Sequence, residues 1–134
     1  MTRRGGANFY ETADYSANVS HIFETFALQN ANVRLVRGYS QDEHVLRQID
    51  GRSFDVVYID GGHRFEEVTA DLQFYAPLVR HGGYLVLDDA ACLLPGTAFW
   101  KGHESVSRAV ENWGAPNFTN ILNIGHNRIY MRKS

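Results

Sequence analysis

Three acidic residues and one histidine stand where runs of bulky apolar residues end. Asp60 closes Phe54-Asp55-Val56-Val57-Tyr58-Ile59, His63 comes three positions later, and Asp88-Asp89 closes Tyr84-Leu85-Val86-Leu87. If the two runs are neighbouring strands, three carboxylates meet at one edge, where they repel unless a cation sits between them or one is protonated. Oxygen-only ligands suit a hard cation, Mg²⁺ first, with Mn²⁺ or Ca²⁺ as alternatives. His63 opens the following helix, whose dipole opposes protonation, and a neutral imidazole near neutral pH is a usable general base. Asp14 would end an earlier short strand, Asn8–Asp14, while Ser40 and Gln41 follow a strand at Val33–Val36 that stops at Gly38. The plainer reading is that Asp, Gly, Ser and His simply populate strand-to-helix turns, with Asp89 capping the next segment.

Such an edge needs strands held side by side, and the chain alternates strand-like and helix-like patterns. Ser16 is placed to cap a helix carrying Val19, Ile22, Phe23, Phe26 and Ala27 at helical spacing. Asp42–Ile49 reads as a short helix with Val45, Leu46 and Ile49 on one side. Phe54–Ile59 is nearly continuous in bulky residues, which predicts a strand covered on both faces. Phe65, Val68, Leu72, Tyr75 and Val79 recur at steps of three and four, with Pro77 near the helix end and Gly82-Gly83 as its stop. Tyr84–Leu87 is a second buried strand, and a later helix carries Val106, Ala109, Val110 and Trp113 on one face. Ile121–Ile124 and Arg128–Met131 flank Gly125-His126-Asn127 as a closing antiparallel hairpin. The sum is an α/β domain of three layers with a mostly parallel sheet, whose ligands bind outside the carboxyl ends of the strands.

Composition bounds the rest. With 134 residues the chain suits one domain, and 44% hydrophobic, 21% charged and 13% aromatic residues exclude disorder, collagen and coiled coil. A formal net charge of -2 gives no basic field for nucleic acid or an anionic membrane. One cysteine, Cys92, cannot form an internal disulfide, and it has no spaced partner that would make it a catalytic thiol. No apolar run approaches the roughly 18 residues of a membrane span, and no apolar stretch follows Met1-Thr-Arg-Arg-Gly-Gly, so a cytoplasmic protein is expected. His21, His44, His81, His103 and His126 lack acidic company in the sequence and read as surface residues. Phe99 and Trp100 either flank a substrate or pack their own loop, and no P-loop lysine accompanies Gly61-Gly62.

Phe54-Asp55-Val56-Val57-Tyr58-Ile59-Asp60-Gly61-Gly62-His63, Asp71-Leu72 and Pro77-Leu78-Val79-Arg80-His81-Gly82-Gly83-Tyr84-Leu85-Val86-Leu87-Asp88-Asp89 resemble the class I S-adenosylmethionine-dependent methyltransferases. The similarity is closest to the metal-dependent O-methyltransferases, of the macrolide-sugar and catechol types. Gly38-Tyr39-Ser40-Gln41-Asp42 also resembles the segment that contacts adenine there. The resemblance implies a Rossmann-like fold, S-adenosylmethionine as cofactor and a small-molecule hydroxyl as methyl acceptor. It implies Asp14 on the ribose, Gly38, Ser40 and Gln41 along the adenine, and Asp60 beside the cofactor. It further implies Asp60, Asp88 and Asp89 on the divalent metal and His63 as the base.

Family members begin with a helix, a strand and a glycine-rich cofactor turn, whereas only Met1–Ala7 precede the segment that matches their second strand. The expectation is an N-terminally truncated domain whose bared strand edges favour a homo-oligomer. The other readings are a non-catalytic binding or assembly module with the same fold, and a metal-dependent phosphate hydrolase.

Overall fold

A run of β-branched and aromatic residues can complete its backbone hydrogen bonds only beside another strand, and Phe54–Ile59 (β1) does so against Val79–Leu87 (β2). The computed structural model describes residues 15–27, 34–96 and 99–134. Within them the helices are Tyr15–Thr25 (α1), Glu43–Leu46 (α2), Phe65–Tyr75 (α3) and Glu104–Trp113 (α4). Strands Phe118–Ile124 (β3) and Asn127–Arg132 (β4) form the expected hairpin. The described sheet runs β1-β2-β4-β3. Its β1–β2 pair is parallel and its β2–β4 and β3–β4 pairs antiparallel, so this part of the sheet is mixed where a mostly parallel one was expected.

The core lies on one face. Val68, Leu72 and Ala76 from the α3 side, and Val106, Ala109 and Val110 of α4, pack on Val79, Leu85 and Leu87 of β2 and Tyr130 of β4. Each buried side chain of this size contributes about 1.5–3 kcal/mol by leaving water. The opposite face keeps Val56 and Tyr58 each 55% exposed and Tyr84 exposed too, which corrects the expectation that β1 and β2 are covered on both sides. Continuous apolar residues signalled a strand here, but they do not report which layer covers it.

Helix α3 ends at Tyr75 and passes through the 3₁₀ turn Ala76–Leu78 directly into β2. Gly82-Gly83 is therefore not a helix stop but an irregularity inside β2, where the register jumps between Phe54↔Val79 and Val56↔Tyr84. Gly82 has φ +71°, and a β-carbon on Gly83 would stand 2.8 Å from the Asp55 carbonyl oxygen, so neither place suits a larger residue. Residues 34–36 of the anticipated strand Val33–Val36 form no strand, and Leu35 is exposed; Val33 itself lies outside the described residues, as do Asn8–Asp14. An extended segment becomes a strand only when a neighbour completes its hydrogen bonds, and no described strand does so there. Ser16 falls inside α1, not at its cap, because the helix already begins at Tyr15.

Candidate functional site

Register places the acids. In the parallel pair Tyr58 faces Val86 and Ile59 faces Leu87, so Asp60 and Asp88 leave the sheet side by side. The Asp88 amide donates to the Ile59 carbonyl at 3.0 Å, extending the pairing one step past the strands. The Asp60 and Asp88 carboxyls are close enough to influence each other's ionisation directly. Asp60 is held above the ordinary carboxylate range by desolvation first, then by its interaction with Asp88 and the charge of Asp89, with His63 opposing. Tyr58 is pushed up to about 12 by desolvation and then by Asp88, Asp60 and Asp89. Because the whole residue remains 55% exposed, the neighbouring carboxylates are the firmer cause of that rise.

Asp89 turns the other way. It adopts φ +53°, a left-handed conformation that Asp tolerates better than most residues, and its side chain is only 9% exposed. Its Oδ2 lies 3.2 Å from His63 Nε2 and 3.8 Å from His103 Nε2. The two imidazoles stack with centroids 4.2 Å apart, and Trp100 packs edge-on to His103. Ser105 Oγ donates to the His63 carbonyl at 2.5 Å, which ties the loop before α3 to the first turn of α4. On the far side His126 Nε2 approaches Asp88 Oδ1 to 3.0 Å, although that buried oxygen completes no hydrogen bond. The His126 carbonyl accepts from the Ala90 and Ala91 amides at 2.8 and 3.1 Å, so the hairpin turn braces the acidic segment.

These contacts correct the expectation that His103 and His126 are mere surface residues. His103 precedes α4 and His126 sits in the β3–β4 turn, and both elements deliver their ends to the carboxyl end of β2. The signal was topological: a hairpin strand lying antiparallel to β2 must bring its turn to that edge. Among the described residues, the donor atoms that gather within 4.8 Å are His63, Asp89 and His103, and Asp88, Asp89 and His126. Asp60 stands beside Asp88 but joins neither set, while Asp88 and Asp89 of the anticipated trio share one of them with His126.

Next to this cluster lies a pocket of about 190 Å³, walled by Ser40, Tyr58, Asp60, Asp71 and Tyr75 among others. Gln41 Nε2 donates to Asp71 Oδ1 at 2.7 Å and to Ser40 Oγ at 2.9 Å, and the Tyr75 hydroxyl donates to the Ser40 carbonyl at 2.7 Å. Asp71, 2% exposed, thus anchors the Ser40-Gln41 turn; burial raises its pKa against the opposing bonds from Gln41 and Ser40. Asp71 was not singled out for this role from the sequence, though an acid between Val68 and Tyr75 on the apolar face of α3 was the available sign. Gly38, at φ +145°, packs against Val45 and His44, where a β-carbon would come within 2.7–2.8 Å; it shapes the approach to Ser40 and does not line the pocket. Asp14 lies outside the described residues.

The profile of a family described as a methyltransferase domain matches residues 2–90. The chain belongs to that family. The methyltransferase domain is also similar to an uncharacterized protein of Acanthamoeba polyphaga mimivirus, 35% identical over 66 residues, which are 48% of this chain and 30% of that protein. Its fold matches the O-methyltransferase NovP with TM-score 0.67 at 21% identity, over 88% of this chain and 45% of that one. It also matches cofactor-bound Rv0187 from MTB with TM-score 0.59 at 22% identity, over 88% and 57%. The domain therefore has the Rossmann-like fold of the class I methyltransferases and spans about half the length of these solved relatives. No helix of the described residues is long and apolar enough to cross a membrane.

Proposed function

We propose that this chain carries the acid- and base-bearing part of an S-adenosylmethionine-dependent O-methyltransferase acting on a small-molecule hydroxyl. The observation that carries the reading is the adjacency of two sites on one sheet edge. Asp60 belongs both to the pocket holding Ser40 and Asp71 and to the carboxylate pair with Asp88. At about 190 Å³ the pocket is below the roughly 300–1,000 Å³ typical of whole-ligand sites, so it suits the nucleoside end of the cofactor and not all of it. When bound, S-adenosylmethionine supplies an electrophilic methyl group on a sulfonium.

The chain's own residues then have separable tasks. Ser40 and Gln41, steadied by Asp71, line the nucleoside, and Asp14 is assigned to its ribose hydroxyls. His63 would accept the acceptor's hydroxyl proton at Nε2 as that oxygen is methylated. Asp89, 3.2 Å from that nitrogen, would steady the imidazolium that forms. The exposed ring of Trp100, beside His103 and His126, offers an apolar wall to the acceptor.

A hard divalent cation, Mg²⁺ in the first instance, would be held by Asp88 and Asp89, whose oxygens lie within 4.8 Å of each other, with Asp60 completing the set from its place beside Asp88, and would lower the pKa of the acceptor hydroxyl. The fit is supported by Asp88 Oδ1, buried without a hydrogen bond, and by the mutual repulsion of the adjacent Asp60 and Asp88 carboxyls, which a cation would relieve.

Calorimetric titration with S-adenosylmethionine, with and without Mg²⁺, tests the proposal. Saturable binding near micromolar, weakened about five- to tenfold by Gln41→Ala, is the expected result, since a lost hydrogen bond costs about 1–1.5 kcal/mol. No heat at millimolar ligand overturns it.

A further inference from the structure

The geometry points to a second cation site, built from His63, His103 and Asp89, that takes a borderline first-row divalent ion such as Zn²⁺ and in doing so occupies the proton-accepting nitrogen of His63. Two donors bound at about 2.0–2.1 Å to one tetrahedral ion stand roughly 3.3 Å apart. The Asp89 Oδ2 distances to the two imidazole nitrogens, 3.2 and 3.8 Å, bracket that separation. All three donors lie within 4.8 Å of one another.

The donors come from three rigid places. Asp89 is fixed by its own left-handed turn and by the His103 amide, which donates to its carbonyl at 2.9 Å. His63 is held through its carbonyl by Ser105, and His103 leads into α4. The carboxylate is nine-tenths buried while both rings remain partly exposed, so an ion can enter from solvent and displace only the weak stack between the rings. That stack must open for both lone pairs to converge, through χ2 rotations that are soft for histidine.

Two imidazoles and one carboxylate favour zinc, cobalt or nickel over magnesium, which prefers six oxygens and retains its waters. The site therefore differs in donor chemistry from the oxygen set of Asp60, Asp88 and Asp89, with which it shares only Asp89. Its consequence for catalysis, inhibition by loss of the base, rests on the proposed role of His63; the binding itself does not.

The test uses the whole 134-residue chain without methyl donor or acceptor. Zn²⁺ and Mg²⁺ are titrated separately by calorimetry, and Co²⁺ is followed by its visible absorption. Expected are one Zn²⁺ per chain, bound at least a hundredfold tighter than Mg²⁺, and a Co²⁺ spectrum of low coordination number. His103→Ala and His63→Ala should each weaken Zn²⁺ by more than the roughly 10–100-fold that losing an outer-shell partner costs. His21→Ala and His126→Ala should leave it within about threefold, and circular dichroism of each variant checks folding. Zn²⁺ affinity unchanged in folded His103→Ala, loss confined to His126→Ala, or equal affinity for Mg²⁺ overturns the proposal. Failure of methyl transfer with intact Zn²⁺ binding would instead count against the methyltransferase reading alone.

Discussion

Gly102 lies so close against Asp89 that a β-carbon on it would overlap the Asp89 backbone. The contact is reinforced by the bridge between Ala90 and Gly102, and it holds the acidic turn in its left-handed shape. Gly102 itself has φ +95°, which other residues rarely adopt. Gly102→Ala should therefore displace Asp89 and destabilise the fold by about 1–3 kcal/mol. Urea denaturation reads the second effect. Zn²⁺ titration of the folded variant reads the first, with at least a tenfold loss expected.

Asp60→Asn should raise the thermal midpoint by a few degrees in metal-free buffer, because it removes one of two adjacent carboxylates. With Mg²⁺ present the advantage should shrink or reverse, since the same change removes a ligand oxygen. Scanning calorimetry with EDTA and with Mg²⁺ checks both signs; an unchanged midpoint in EDTA would show that the acids do not repel.

Asp71 sets a pH dependence. Burial raises its folded pKa above the unfolded value of about 3.9, so its contribution to stability is fully present below that pH and is lost as pH rises through the folded pKa. Asp71→Asn keeps an acceptor for Gln41 but cannot ionise. Its stability relative to wild type should be lowest near pH 3.5 and improve as pH rises above the unfolded value. Urea midpoints measured across this range supply the check.

Leu72 is fully buried between α3 and the sheet. Leu72→Ala should cost about 2–5 kcal/mol, the range for a large core side chain with incomplete collapse around the cavity. The change lies outside the acidic cluster, so the Zn²⁺ affinity of the molecules that remain folded should stay within about threefold. Denaturation and metal titration on one preparation separate the two readings.

The bared sheet face motivates a prediction of self-association, with Val56 and Tyr84 as neighbours in register across β1 and β2. Val56→Lys should lower the weight-average mass seen by sedimentation at high protein concentration, without lowering the thermal midpoint by more than a few degrees. A wild-type chain that sediments as a monomer at all concentrations would remove this expectation.

The legible features were those with local causes. The 3.6-residue spacing of Val68, Leu72 and Tyr75 marked α3, and continuous bulky residues marked β1 and the C-terminal part of β2, Tyr84–Leu87. Asp60 and Asp88 could be paired in advance because parallel strands of matched register end together. What stayed hidden depended on contacts distant in sequence. Asp71 anchors Gln41 across 30 positions, and His103 and His126 reach the acids only through α4 and the hairpin. Coverage of β1 was misjudged because a strand's own composition does not name the layer above it. Gly82-Gly83 misled for a related reason: a glycine pair marks unusual backbone, here a strand irregularity and not a helix end.

The carbonyl of His126 that receives the Ala90 and Ala91 amides has an implication for biosynthesis. A nascent polypeptide released as far as Trp113 already contains every carboxylate of the cluster and the Gly102 and His103 contacts to Asp89, yet it lacks the His126 carbonyl that receives the Ala90 and Ala91 amides. The segment after Asp89 therefore gains its last backbone support only once the hairpin has emerged from the ribosome and docked along β2.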